Sequence, residues 1–273
     1  MDSRKNNSPA LEALDWSVIA TAMGELAGSI KTSEVFDEMT STNDWGMRNC
    51  ASADRLPALC IADRQTSGRG REGRSWFSPA GQNVYLSLVM PFLSAPNCLQ
   101  GLSLVMALAV AEALNSIDVN VKLKWPNDIL LNGKKLAGLL IETKLSAQNI
   151  CVVVGLGLNV AMTKSSVEAI DQPWTSLVAE RPELDISRNA LVALLVSHML
   201  RMFKQFQEQG FQSFHEQWQQ WDYLMGKRIS YTREKITAEG LVQGIAEDAS
   251  LLITSSHGTK RLYVAETPIR IIS

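Results

Sequence analysis

Cysteine and histidine are scarce in this chain. Its 273 residues include 4 cysteines, Cys50, Cys60, Cys98 and Cys151, with no CxxC pair. That pattern predicts reduced, partly buried thiols in a cytoplasmic protein rather than a disulfide framework. The 3 histidines, His198, His215 and His257, lack metal-ligand spacing, which speaks against a zinc site. Neither charge dominates: 26 Lys and Arg against 28 Asp and Glu give a net charge of -2. No global field therefore recruits nucleic acid or an anionic membrane, and any anionic ligand must meet a local cluster. Long apolar runs are missing as well. The longest, Leu102 to Ala111, falls far short of the roughly 20 residues a membrane helix needs and is stopped by Glu112. The opening MDSRKNNSPA has no apolar core, so no signal peptide is expected. There is no GxxxxGK[ST] phosphate loop, internal repeat or low-complexity tract.

What is present is ample core material, 46% hydrophobic and 20% charged residues. This fits one large globular domain with a small one and excludes a disordered chain, a collagenous one or a coiled coil. Residues 1–10 are polar and read as a flexible start. Apolar 3–4 spacing predicts a helix from Leu11 to about Leu26, and Val35 to Met39 reads as a strand. The polar turn Thr40-Ser41-Thr42-Asn43 offers cap chemistry for a helix starting near Asp44. Strands are expected over 59–62, 83–90, 121–125 and 150–154. A hairpin is expected around Asn132-Gly133, with arms 129–131 and 135–142. Helices are expected over 99–117, 187–209 and 211–221. After Gly226 short strands alternate over 228–231, 240–247, 251–254, 261–264 and 269–272, predicting a small β-barrel and a boundary near 225.

The chemistry concentrates between Gln65 and Arg74. Glycines alternate there with Arg69, Arg71 and Arg74, so backbone can wrap a ligand while guanidinium forks meet its carboxylate or phosphate oxygens. A solvated Arg-Gly loop and a nucleic-acid contact are competing readings of the same composition. A second constellation, Lys124-Trp-Pro-Asn127-Asp128, sets a cation, an amide and a carboxylate close together, stiffened by Pro126; it is also a good plain turn. On the far hairpin arm come Lys135 and Gly138, the glycine hinting at a close approach inside an apolar strand. Gly155-x-Gly157-x-Asn159 lacks the third glycine of a dinucleotide fingerprint. The series Phe203, Phe206, Phe211, Phe214, Trp218 and Trp221 follows helical spacing and reads as core, and His198 reads as a packed or surface residue rather than a base.

Taken in order, Ser41-Thr42-Asn43, Gln65-x-x-Gly68-Arg69-Gly70-Arg71-x-Gly-Arg-x-Trp76, Lys124-Trp-Pro-Asn127-Asp128, Lys135-Leu-Ala-Gly138 and Gly155-x-Gly-x-Asn159 resemble the biotin–protein ligase family. The resemblance runs from about residue 35 to the C-terminus. It implies an α+β fold, a mixed β-sheet flanked by helices over 11–225, with an SH3-like β-barrel over 226–273. It implies a two-step reaction using ATP and Mg2+: biotin is activated to biotinyl-5′-AMP, then passed to a lysine of a biotin carboxyl carrier protein. By resemblance, Ser41, Thr42, Asn43 and Gln65 would bind the ureido end of biotin. Gly68, Arg69, Gly70 and Arg71 would fold over biotin and the adenylate. Lys135 would meet the carboxylate, with Gly138 leaving room. Lys124, Asn127, Asn159, Arg69 and Arg71 would contact phosphate and nucleotide, and Trp174 would cover the adenine. Arg69, Arg71, Lys135 and Asp128 form the catalytic set, Asp128 orienting a lysine, holding metal or accepting the acceptor amine's proton.

The loop departs from the family's GRGRRGR at Glu72, which removes one positive charge. Only 40 residues precede Ser41, so a winged-helix repressor domain, and with it DNA binding, is not expected. An exposed sheet edge could support a homodimer; no membrane partner is expected. The alternatives are a lipoate or octanoate enzyme of the same fold, and a nucleic-acid-binding regulatory module using the arginine loop.

Overall fold

The structure is a computed structural model that describes residues 12–93, 95–145, 150–163, 170, 172–233, 236–256, 258–263 and 269–272. The expected flexible segment 1–10, Leu11, His257 and Val264 lie outside them. Seven strands form one mixed sheet: β1 Thr32–Met39, β2 Ala58–Gln65, β3 Asn83–Phe92, β4 Lys122–Lys124, β5 Asp128–Leu131, β6 Lys134–Leu145 and β7 Ile150–Asn159. Their order is β1-β2-β3-β7-β6-β5-β4, parallel only between β1 and β2.

Side-chain alternation gives this sheet two different faces. Even-numbered residues of β3 and β7, such as Leu86, Leu88, Val152, Val154 and Leu156, enter the main core. That face is covered by α1 Trp16–Met23, α3 Leu102–Asn115 and α5 Arg188–Gln209, with α5 packed on both other helices. Helix α3 is buried almost all round, from Leu102 to Leu114, as an apolar helix without a polar face must be. The opposite face carries α2 Thr42–Asn49 over a smaller cluster of Trp45, Leu56, Ala58, Cys60, Val89 and Val153. Gly46 lets this helix approach, since a Cβ there would lie 2.6 Å from Val153 Cγ1. The rest of this face is where the glycine and polar positions of β6 and β7 look out.

Several boundaries differ from expectation for local reasons. Helix α1 stops at Gly24, whose φ of 61 favours glycine, so the expected 11–26 helix becomes α1 and a 3-10 turn over Gly24–Ser29. Helix α3 begins after Gly101, at φ 84, rather than at 99. Helix α2 starts two residues before Asp44, with Ser41 at the N-cap position but making no side-chain capping bond. Strand β7 does not end at Val154: it runs on through Asn159, with Gly155 and Gly157 paired on both sides by β3 and β6. The expected hairpin is present, with Asn132 at φ 50 and Gly133 at φ 75 as a two-residue turn of this kind demands.

The cysteine expectation is corrected. Cys50, closing α2, and Cys151, near the start of β7, form a disulfide with Cα atoms 5.5 Å apart. A separation of 101 residues leaves no local spacing to read, and only the packing of α2 on the sheet brings them together. Cys60 is a buried free thiol, and burial, reinforced by Glu34, pushes its pKa up; Cys98 is exposed.

Five of the aromatic series enter the core as expected: Phe203, Phe206, Phe211, Phe214 and Trp218 are buried, while Trp221 is half-buried and packs against it. After α4 Leu177–Glu180 and α6 His215–Trp221, five strands make an antiparallel sheet. They are β8 Arg228–Arg233, β9 Ile236–Ile245, β10 Leu251–Ser255, β11 Gly258–Leu262 and β12 Ile269–Ile271, in the order β11-β10-β9-β8-β12. The core runs into it without a break through Trp218, Leu224, Ile229 and Leu251. The Trp125 indole donates to Ala249 O at 3.0 Å, and a His215 ring nitrogen lies 2.8 Å from Ile245 O.

Candidate active site

The open face of the sheet gathers the expected residues in three neighbouring groups. The first lies at the N-terminus of α2. Ser41, Thr42 and Asn43 are all buried. Gln65 Oε1 accepts from the Thr42 backbone N–H at 2.9 Å and from its hydroxyl at 3.2 Å. Asn43 Nδ2 donates to Glu142 Oε2 at 2.9 Å and to Leu140 O at 3.2 Å. Gly155 makes room for that amide, because a Cβ there would fall 2.0 Å from Asn43 Oδ1.

The arginine loop folds back on itself through backbone hydrogen bonds. Trp76 N–H donates to Gly68 O at 2.8 Å, Gly70 N–H donates to Arg74 O at 2.6 Å, and Arg69 bridges Ser75 in antiparallel fashion. Gly68 must be glycine here: a Cβ would lie 2.4 Å from Trp76 O. Arg69 pairs with Asp44 Oδ1 at 3.2 Å and with Glu142. Glu72, at φ 58, pairs with Arg74 at 3.3 Å, so the extra acid neutralises a neighbour within the loop. The Trp76 indole folds back onto the glycine track. A Cβ on Gly157 would fall 2.4 Å from its Cε2, and one on Gly138 3.2 Å from its Cζ3. Its Nε1 is buried without a hydrogen-bond partner among the described residues.

The second group forms around the hairpin. Lys135 Nζ lies 2.7 Å from Asp128 Oδ1, both side chains largely covered, and 5.4 Å from the centre of the Trp76 ring. Arg71 Nη1 donates to Asn127 Oδ1 at 3.3 Å, while Asn127 Nδ2 donates to Leu139 O at 2.7 Å. Burial lowers the Arg71 pKa, with Glu72 opposing the shift. Burial also lowers that of Lys124, which Asp128 opposes while Lys135 and Arg74 reinforce it. Its Nζ donates to Ile269 O at 3.2 Å, so this lysine joins the cation cluster to the C-terminal sheet. Lys135 in contact, and Lys124 and Arg71 through the field of Asp128, thus surround one carboxylate with three cations, an arrangement suited to an anionic ligand.

The third group adjoins through the backbone. Lys135 N–H donates to Pro173 O at 3.0 Å and Thr175 N–H to Lys135 O at 2.9 Å, which sets Trp174 alongside Lys135. Asn159 Nδ2 donates to Thr175 O at 3.0 Å. A cavity of about 330 Å³ opens here, lined by Trp174, Met162, Val178, Lys134 and Glu180. Among the described residues no group of three His, Cys, Asp or Glu could cage a metal, and no helix is long and apolar enough to cross a membrane.

Sequence reasoning missed Asp44, Ser87, Glu142 and the position of Trp76. Ser87 Oγ lies 2.6 Å from Asn43 Oδ1 and 2.8 Å from Thr42 Oγ1. Glu142 shares a face of β6 with Gly138 and Leu140, so the strand's two-residue period was the signal that could have found it.

The sequence profile of the Biotin/lipoate A/B protein ligase family matches residues 35–159. The bifunctional ligase/repressor BirA of Escherichia coli (strain K12) is 32% identical over 239 residues, 85% of this chain and 71% of that protein. A biotin--[acetyl-CoA-carboxylase] ligase of Paracoccus denitrificans is 31% identical over 215 residues, 77% of this chain and 89% of that one. Among solved structures, a biotin protein ligase from Aquifex aeolicus in complex with biotin and ATP superposes with a TM-score of 0.74 at 28% identity, covering 89% of this chain and all of that one.

Proposed function

We infer the reaction from this premise: the chain belongs to the biotin protein ligase family. It is an ATP-dependent ligase that activates biotin as biotinyl-5′-AMP and passes it to a lysine of a carboxyl carrier protein. The observation that carries the reading is the Lys135–Asp128 pair, 2.7 Å apart. It stands between the arginine loop and the glycine track, where a carboxylate and a phosphate would meet.

The obstacle in the first half-reaction is charge. A biotin carboxylate oxygen must bond to the α-phosphorus of ATP as the bond to pyrophosphate breaks, and both partners are anions. Arg69, Arg71, Lys124 and Lys135 offset that repulsion by placing cations where the two anions meet. Asp128 orients Lys135, a role that the ion pair at 2.7 Å supports. Mg2+ brought by the nucleotide would neutralise phosphate charge. The donor set fits an ion held chiefly through phosphates, with Asp128 as a single protein carboxylate, since the described residues build no cage.

Thr42, Asn43 and Gln65 lie at the ureido end, Gly138 and Gly157 leave the track for the ring and tail, and Trp174 flanks the nucleotide. In the second half-reaction the neutral acceptor amine attacks the acyl carbon. The acyl–oxygen bond to AMP breaks and the amine's proton passes to a nearby carboxylate or to water.

Calorimetry with biotin, followed by mass spectrometry after adding ATP and Mg2+, tests the reading. Heat with biotin and a biotinyl-AMP product are expected. No heat with biotin, with heat from lipoate instead, would replace the substrate.

A further inference from the structure

Asn43 is nearly saturated inside the protein. A primary amide offers two hydrogens and two oxygen lone pairs. Both Asn43 Nδ2 hydrogens are taken, by Glu142 Oε2 at 2.9 Å and Leu140 O at 3.2 Å. One lone pair of Oδ1 faces Ser87 Oγ at 2.6 Å. What remains is a single acceptor position on Oδ1. Turning the amide over would set its oxygen against the Glu142 carboxylate and the Leu140 carbonyl with no proton between them, so these groups determine which way it faces. The Glu142 oxygen that holds Asn43 also receives Arg69 from the loop.

We propose that Glu142 is a positioning residue for biotin recognition: it fixes Asn43 with its oxygen, not its nitrogen, available to a ring N–H donor, and ties that choice to the arginine loop. The inference rests on the reading of Asn43 as a ureido contact. A ureido ring carries two N–H donors and one carbonyl, so an inverted amide would confront a donor with a donor. Glu142 touches no reacting atom and acts through Asn43.

The test compares Glu142→Met and Glu142→Gln, two side chains of similar length of which only glutamine keeps an oxygen acceptor for Asn43. The readout is biotinyl-AMP formation with the full chain, biotin, ATP and Mg2+. Glu142→Met should raise the KM for biotin about tenfold, as the loss of one oriented hydrogen bond does, and change it more than it changes kcat or the KM for ATP. Glu142→Gln should restore the biotin KM to within about threefold of the parent. An unchanged KM in Glu142→Met, or a Glu142→Gln as impaired as Glu142→Met, would overturn the proposal. If Glu142→Met fails to fold, Glu142→Ala replaces it in the same comparison. A parent chain that forms no biotinyl-AMP removes the underlying reading itself, an outcome distinct from an active parent indifferent to Glu142.

Discussion

Lys135 and Glu72 show how single side chains set charge in this site. Lys135→Ala removes the ammonium facing the candidate carboxylate position and leaves Asp128 without its 2.7 Å partner. Adenylate formation, followed by pyrophosphate release, should fall by about 10²-fold or more, the usual effect of deleting a preorganised charge. Glu72→Arg should act on a different step. Glu72 now occupies Arg74 at 3.3 Å; the substitution removes that pair and adds a fourth cation to the loop's three arginines. Release of the adenylate should slow more than overall ligation changes, and rapid-quench measurement of equal effects on both would contradict this. The arginines, Lys135 and Gln65 stood out in the chain because their neighbours are glycines and turn residues. Glu142 and Ser87 did not, since each sits in an ordinary strand and gains meaning only from what pairs across from it.

Strand β7 and the β5–β6 hairpin each hold part of the candidate site as whole elements. Gly157 is the seat of the Trp76 indole, and the Cβ of Gly157→Ala would fall 2.4 Å from the ring. The indole must leave, so its fluorescence should shift and the KM for biotin should rise, with a thermal midpoint lowered by only a few degrees. Glu180 ties the hairpin to α4. It accepts from Asn132 Nδ2 at 2.7 Å, Lys134 Nζ at 2.9 Å and Thr175 Oγ1 at 2.7 Å. These bonds, Asn132 first, hold its carboxyl near about 2 against the usual 4.5. A depressed carboxylate contributes stability that is complete above its unfolded pKa and is lost as pH falls toward the folded one. The thermal midpoint should therefore drop between about pH 4.5 and 2 in the parent, and less steeply in Glu180→Gln. The type of nearly every element could be read from periodicity and turn chemistry. Their ends were harder, because α1 and α3 are bounded by backbone at Gly24 and Gly101 rather than by a change in hydrophobic pattern, and β7 continues through glycines that its neighbours hold in register.

Across the molecule, the core does not stop where the sequence changes texture. Trp125, immediately before Pro126 and the candidate site residues Asn127 and Asp128, donates to Ala249 O beyond the C-terminal strand β9. Trp125→Phe should cost about 1–3 kcal/mol by leaving that carbonyl unpaired, measurable by urea titration. Leu224, Ile229 and Leu251 share one cluster with the helices over the large sheet. Calorimetry should accordingly give one cooperative unfolding transition for the whole chain; two resolved peaks would show that the C-terminal sheet melts by itself. The switch to short strands led us to expect a boundary near 225, but the contacts across that position could not be read from the sequence, since Trp125 and Ala249 are 124 positions apart.

The bond between Cys50 and Cys151, 101 positions apart, closes that stretch of chain into a covalent ring. The arginine loop and the Lys135 hairpin both lie on that ring, whereas Ser41, Thr42 and Asn43 lie just outside it. A protease that cuts once anywhere between residues 51 and 150 therefore yields two fragments that still travel as one molecule. On an electrophoresis gel without reductant the nicked protein should keep its full apparent mass, and with dithiothreitol it should separate into two bands. Replacing Cys50 with serine should abolish the difference between the two lanes.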